Sequence, residues 1–158
     1  MHHSRIAIIA LLIILPACTH ASEPALTGKV ISIADGDTLT ILVDKTQHKI
    51  RLHGIDTPER KQPFGTKAKQ ALSDKVFGRV VDVVEVDRDR YGRVVGRIYL
   101  SSRDINRELV AEGHAWVYRK YMRDETLLAD EAAARDAGLG LWLLPEAQRV
   151  PPWEWRRK

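Results

Sequence analysis

The chain is expected to fold as an α+β domain, and three observations predict this. Two runs near residues 30 and 41 alternate apolar with polar residues, two more near 82 and 97 are rich in valine, and three later segments carry helical spacing. In "LTGKVISIADGDTLTILVD", Val30, Ile31 and Ile33 lead into Asp35-Gly36-Asp37, after which Leu39, Ile41 and Val43 alternate with polar neighbours. "KTQ" is expected to turn the chain and "HKIRLHGI" to form a third strand. A helix over residues 63–73 would place Phe64, Ala68, Ala71 and Leu72 on one side.

"RVVDVVEVDRD" and "RVVGRIYL" read as two further strands, joined at Arg90-Tyr91-Gly92, where glycine permits a positive φ. Asp104 can cap the helix that follows, Ile105 and Leu109 lie four apart, and Gly113 suits its end. A third helix is expected over residues 125–137, stopped at Gly138. Five strands, one helix after the third and more helices at the end suggest a five-stranded Greek-key β-barrel of the OB type with three helices.

At 158 residues and 44% hydrophobic content the chain suits one domain. Charged residues make up 29% and are evenly spread, which argues against disorder, and the formal balance of +4 agrees with a polyanionic partner. Residues 1–21 read as a signal peptide: a basic start, then an apolar run from Ile6 to Leu15, too short to span a bilayer comfortably. Two processing sites compete, cleavage after Ala21 and a lipoprotein signal cut before a lipidated Cys18. Either predicts an exported protein, secreted, periplasmic or lipid-anchored at a membrane. Cys18 is the single cysteine, so the mature domain contains no internal disulfide. The folded domain is assigned to residues 25–145 and a Trp- and Arg-rich tail to 146–158, where the tryptophans pack the tail or its basic residues meet nucleic acid.

Asp35-Gly36-Asp37-Thr38 alone would be an ordinary hairpin turn, and Asp56-Thr57-Pro58-Glu59 alone a stiff solvated loop. Jointly they place hard oxygen donors at strand ends, a set suited to Ca²⁺ or Mg²⁺. Zinc is disfavoured, because His48, His53 and His114, the histidines outside the leader, form no pair at ligand spacing. No nucleophile elbow or glycine-rich phosphate loop is present, which leaves metal-activated water as the chemistry. Arg51 and Arg93 supply the opposite sign. If the barrel brings these strand ends together, two guanidinium forks can grip phosphate oxygens.

The successive segments "DGDT", "IRLHGIDTPE", "QPFGTKAK", "DRYGR", "INRELVAEGHAW" and "GLW" resemble, in order, the signatures of the staphylococcal-nuclease-like (thermonuclease) family, from Leu26 to Trp142. The resemblance implies an OB barrel with three helices and a calcium-dependent, sugar-nonspecific nuclease acting on DNA and RNA. It implies cleavage on the 5′ side of the phosphodiester to 3′-phosphorylated products, with single-stranded or frayed substrate preferred and a monomeric enzyme. Asp37 and Asp56 would hold Ca²⁺ through their side chains and Thr57 through its carbonyl, with Asp35 behind them. Glu59 would orient or deprotonate the attacking water, Arg51 and Arg93 would bind the scissile phosphate, and Arg90 and Tyr91 a terminal phosphate.

The chain departs from the family pattern where a base would stack. Tyr121 can fill one aromatic place, Arg119 stands at the other, and Tyr118 or Trp116 either substitutes or belongs to the core. The competing reading is a non-catalytic OB module that binds nucleic acid. Such a module has no physical need for Asp37, Arg51, Asp56, Glu59 and Arg93 together.

Overall fold

The computed structural model describes residues 25–120 and 124–158. The leader with Cys18, and Tyr121, lie outside the described residues. In order, the elements are β1 (Leu26–Ile33), β2 (Thr38–Val43), β3 (Thr46–Leu52), β4 (Ile55–Asp56), α1 (Gly65–Val76), β5 (Val80–Arg88) and β6 (Val94–Leu100). There follow β7 (Arg103–Asp104), α2 (Ile105–Ala111), β8 (Trp116–Val117), α3 (Glu125–Asp136), two 3₁₀ turns (Gly140–Leu143 and Glu146–Gln148) and α4 (Pro152–Trp155).

The large sheet runs β3-β2-β1-β5-β6-β7, and a further pairing of β3 with β6 closes it into a five-stranded barrel. That closing pair is parallel, with Ile50 opposite Val94 and Arg51 opposite Val95. Strand period explains why the register holds. Ile50 and Leu52 are 0% and 1% exposed, whereas Arg51 between them faces the other way. Burying each apolar neighbour contributes roughly 1.5–3 kcal/mol, and a one-residue slip would lose both while driving an arginine inward.

One apolar cluster fills the barrel and extends under α1, α2 and α3, including Leu39, Ile41, Ile50, Leu72, Ile98, Leu109 and Leu127. A smaller cluster of Trp116, Ala134, Leu141 and Trp142 is covered by Trp153 from the tail. The expected caps are present: Asp104 accepts from the Arg107 amide, and Gly113 and Gly138 take φ of 73° and 63° after their helices.

Three boundaries differ from expectation. The β2–β3 turn falls at Asp44-Lys45, with Asp44 at φ 53°, because Thr46 and Gln47 already pair with Val43 and Leu42. The third strand breaks at Gly54 (φ 78°), so Ile55 and Asp56 pair with β8 instead. The first helix starts at Gly65 and runs to Val76, because Phe64 takes φ 74° and cannot belong to it. Gly65 is required there, since a Cβ would lie 1.9 Å from the Glu59 carbonyl oxygen.

Candidate active site

Asp37 stands at the entrance to β2 and Asp56 at the end of β4, and both are buried, at 5% and 2% exposure. Burial of a carboxylate requires partners. The Oδ2 of Asp37 accepts from the Thr57 amide at 2.8 Å and its hydroxyl at 3.0 Å, and its Oδ1 accepts from the Thr38 hydroxyl at 3.1 Å. Gly36 permits this approach, because a Cβ there would sit 2.8 Å from Thr57 Oγ1 and 2.9 Å from Ala68 Cβ. Hairpin propensity is therefore only half the reason for the Asp-Gly-Asp motif.

Asp35 turns inward to accept from the Asp37 amide at 3.1 Å. Its burial, and the negative charge of Asp37, push its carboxyl up to about 6. Burial likewise raises Asp56, and the hydrogen bonds it accepts from an arginine only partly offset that.

Arg51 joins the two buried acids. Its Nη1 lies 3.2 Å from Asp37 Oδ1 and its Nη2 3.1 Å from Asp56 Oδ1, while Nη1 also donates to the Leu52 carbonyl at 2.9 Å. These groups form the floor of a pocket of about 530 Å³ that also takes in Glu59, Arg93, Arg90 and Tyr91. Arg93 reaches the pocket from the β5–β6 hairpin, held by Asp89 through a 2.6 Å contact at Nε and a 3.0 Å bond at its amide. At the hairpin tip Arg90 donates to the Tyr91 hydroxyl at 2.8 Å, and both Arg90 and Arg93 lie over the Tyr91 ring, at 5.0 and 5.6 Å. Among the described residues, none of the histidines lines this pocket.

Trp116 belongs to the core, 8% exposed and edge-on to Trp142 at 4.4 Å. Arg119 is paired with the buried Glu131 of α3. Tyr118 does line the pocket, with its ring 5.6 Å from Trp153.

Sequence reasoning missed two residues. Gln62, 5% exposed, accepts from the Glu59 amide at 3.0 Å and donates to the Val150 carbonyl at 2.5 Å, so one amide ties the Glu59 loop to the tail. Arg156, after α4, donates to Asp56 Oδ2 and to Glu59 Oε1, each at 2.6 Å. The only advance signal was two prolines and two tryptophans placed beside those basic residues.

The donor chemistry fits a hard dication: Asp37 and Asp56 share one guanidinium, and Thr57 lines the same pocket. Among the described residues no three His, Cys, Asp or Glu side chains are already gathered as a metal site. Guanidinium groups stand between the carboxylates instead.

Residues 49–143 match the family model described as staphylococcal nuclease homologue. Over 144 residues the chain is 44% identical to Protein ParB of Escherichia coli, covering 84% of this chain and 80% of that one. A micrococcal nuclease of Shigella flexneri is 42% identical over 82% of this chain and 80% of its own length. An uncharacterized endonuclease of Haemophilus influenzae is 36% identical over 100% of this chain and 88% of its own.

Proposed function

We propose, for a chain that belongs to the staphylococcal nuclease family, hydrolysis of DNA and RNA in a Ca²⁺-dependent reaction that leaves 3′-phosphorylated products. That the chain is a nuclease, a hydrolase acting on nucleic acid, follows from the family and from its nuclease-named relatives. The finer reading rests on one observation: Asp37, Asp56 and Glu59 share a single pocket with Arg51 and Arg93.

Asp37 and Asp56, with the Thr57 carbonyl, would hold the ion. Bound Ca²⁺ supplies electrophilic polarisation of a phosphoryl oxygen and offsets its charge. Arg51 from the pocket floor and Arg93 from the β5–β6 hairpin hold the non-bridging oxygens and meet the charge that grows on them as phosphorus is attacked. Glu59, with 37% of its side chain exposed, is accessible to solvent and takes the proton of the attacking water. Water oxygen bonds to phosphorus and the P–O5′ bond breaks, the departing O5′ taking a proton from solvent, which leaves a 3′-phosphate on one product and a free 5′-hydroxyl on the other. Arg90 and Tyr91, at the hairpin tip, hold a terminal phosphate, and Tyr121 stacks a base. Stacking tolerates any base, so little sequence preference is expected. Export through the leader over residues 1–21, free or lipid-anchored at Cys18, and a monomeric mature form belong to the same proposal.

The test is cutting of plasmid DNA and of RNA by purified protein in Ca²⁺, repeated with chelator, with the product termini analysed. Expected are cutting of both substrates only with the metal, and 3′-phosphate ends. Cutting that persists in chelator removes the metal from the mechanism, and tight binding without cutting supports the binding-module reading.

A further inference from the structure

We propose that Arg156 is a resident cation of this site: the C-terminal segment docks its guanidinium on Asp56 and Glu59, and the docked segment and a divalent cation exclude one another. The inference rests on the Ca²⁺ reading above and adds to it a residue 100 positions from the ligand it holds.

The contact is bidentate. Arg156 Nη2 meets Asp56 Oδ2 at 2.6 Å, while its Nη1 lies 3.2 Å from Asp56 Oδ1 and 2.6 Å from Glu59 Oε1. Asp56 Oδ1 also receives Arg51 Nη2 at 3.1 Å, so both oxygens of this acid are taken by guanidinium N–H groups. Asp56 is 2% exposed and Arg156 lines the pocket it faces. A carboxylate offers about four lone-pair sites, and three of those on Asp56 are taken by guanidinium N–H groups, two of them from Arg156. A dication entering the pocket meets Arg156 both as a rival for these sites and as a positive charge held against the same acid, so the two compete for Asp56.

The arginine is presented by an anchored segment. Pro152 is buried, the Trp153 ring lies 6.0 Å from Trp116 and 5.6 Å from Tyr118, and Gln62 holds the Val150 carbonyl. By contrast, 44% of the Arg156 side chain is exposed, so water can receive the guanidinium when the segment lifts off the acids. The electrostatics favour an occupant of this kind. Asp35, Asp37, Asp56 and Glu59 crowd one pocket, and unpaired like charges at that range repel. Two states that share one ligand are linked, so docking weakens metal binding and metal undocks the segment.

The experiment is calorimetric titration of Ca²⁺ into the purified wild-type chain and into Arg156→Gln, without substrate. Hydrogen exchange over residues 150–158 is then compared with and without saturating Ca²⁺. Expected are a Ca²⁺ affinity about tenfold tighter in Arg156→Gln, inside the roughly 5–150-fold range of coupled sites, and faster exchange at the segment when Ca²⁺ is added to the wild type. Unchanged or weaker affinity in the variant, with the wild type still binding Ca²⁺, overturns the competition and leaves the nuclease reading standing. If neither chain binds Ca²⁺, the metal reading falls and this inference falls with it.

Discussion

Asp37 and Asp56 are 5% and 2% exposed and take their partners from β3, the Thr57 loop and the C-terminal segment, whereas Tyr91 is 70% exposed and takes its contacts from residues 89 to 93. The first arrangement is assembled by the tertiary fold and is anchored to the barrel. The second is a local turn that carries its own aromatic support for two arginines. The contrast teaches that the pocket has a floor whose geometry is set by folding and a rim that can adjust to a polymer lying across it. Changes in the floor should show in unfolding curves, and changes in the rim in substrate kinetics.

Glu59 lies between the two and offers the strongest test. Glu59→Ser is expected to lower kcat by about 10²–10⁴-fold with an unaltered unfolding midpoint. A large loss of stability in that variant would mean that the loop is structural floor. Arg93→Ala should lower turnover by about 10²–10³-fold, again with the midpoint retained, which steady-state kinetics beside a thermal melt would check. Thr57→Val reverses the pattern. Asp37 Oδ2 loses a buried donor, and denaturant unfolding is expected to show a loss of about 1–3 kcal/mol. Tyr91→Ala should raise KM by a few-fold and leave kcat and the melt in place, and a stability loss there would dissolve the distinction.

A control outside both regions sharpens it further. Asp124 caps α3, and hydrogen bonds from Thr126 and then Arg97 hold its carboxyl down at about 2, against an ordinary 3.8. A depressed carboxyl contributes stability that is present above 3.8 and lost as pH falls through about 2. Asp124→Asn keeps the cap and should flatten that part of the acid limb in melts between those values, with neutral-pH activity unaffected.

Much of the scaffold was legible because strands and helices write periodic patterns. Leu39 and Ile41, or Ile105 and Leu109, announce a buried face at the right spacing, and Asp104 and Gly113 mark both ends of α2. The two-residue strands β4, β7 and β8 were not legible, since a pairing that short has no period to detect. In the site, Asp37, Asp56, Glu59, Arg51 and Arg93 could be picked out because opposite charges gather at strand ends. Their partners could not. Asp89 was visible beside Arg93 but gave no sign of holding it, and Gln62 is an ordinary amide until both its ends are seen to be bonded. Arg156 is one of three consecutive basic residues and sits 97 positions from Glu59, a separation that only the folded chain removes.

The parallel closure of β3 on β6 has a consequence for the order in which the molecule can be assembled. Arg51 lies on one of these strands and Arg93 immediately precedes the other, so the two share one pocket when Ile50 stands opposite Val94. A newly synthesised chain that has not made this junction carries both guanidiniums without a common target. Assembly of the pocket therefore waits on the sealing of the cylinder, and a chain that has not made this junction is a scaffold without a site.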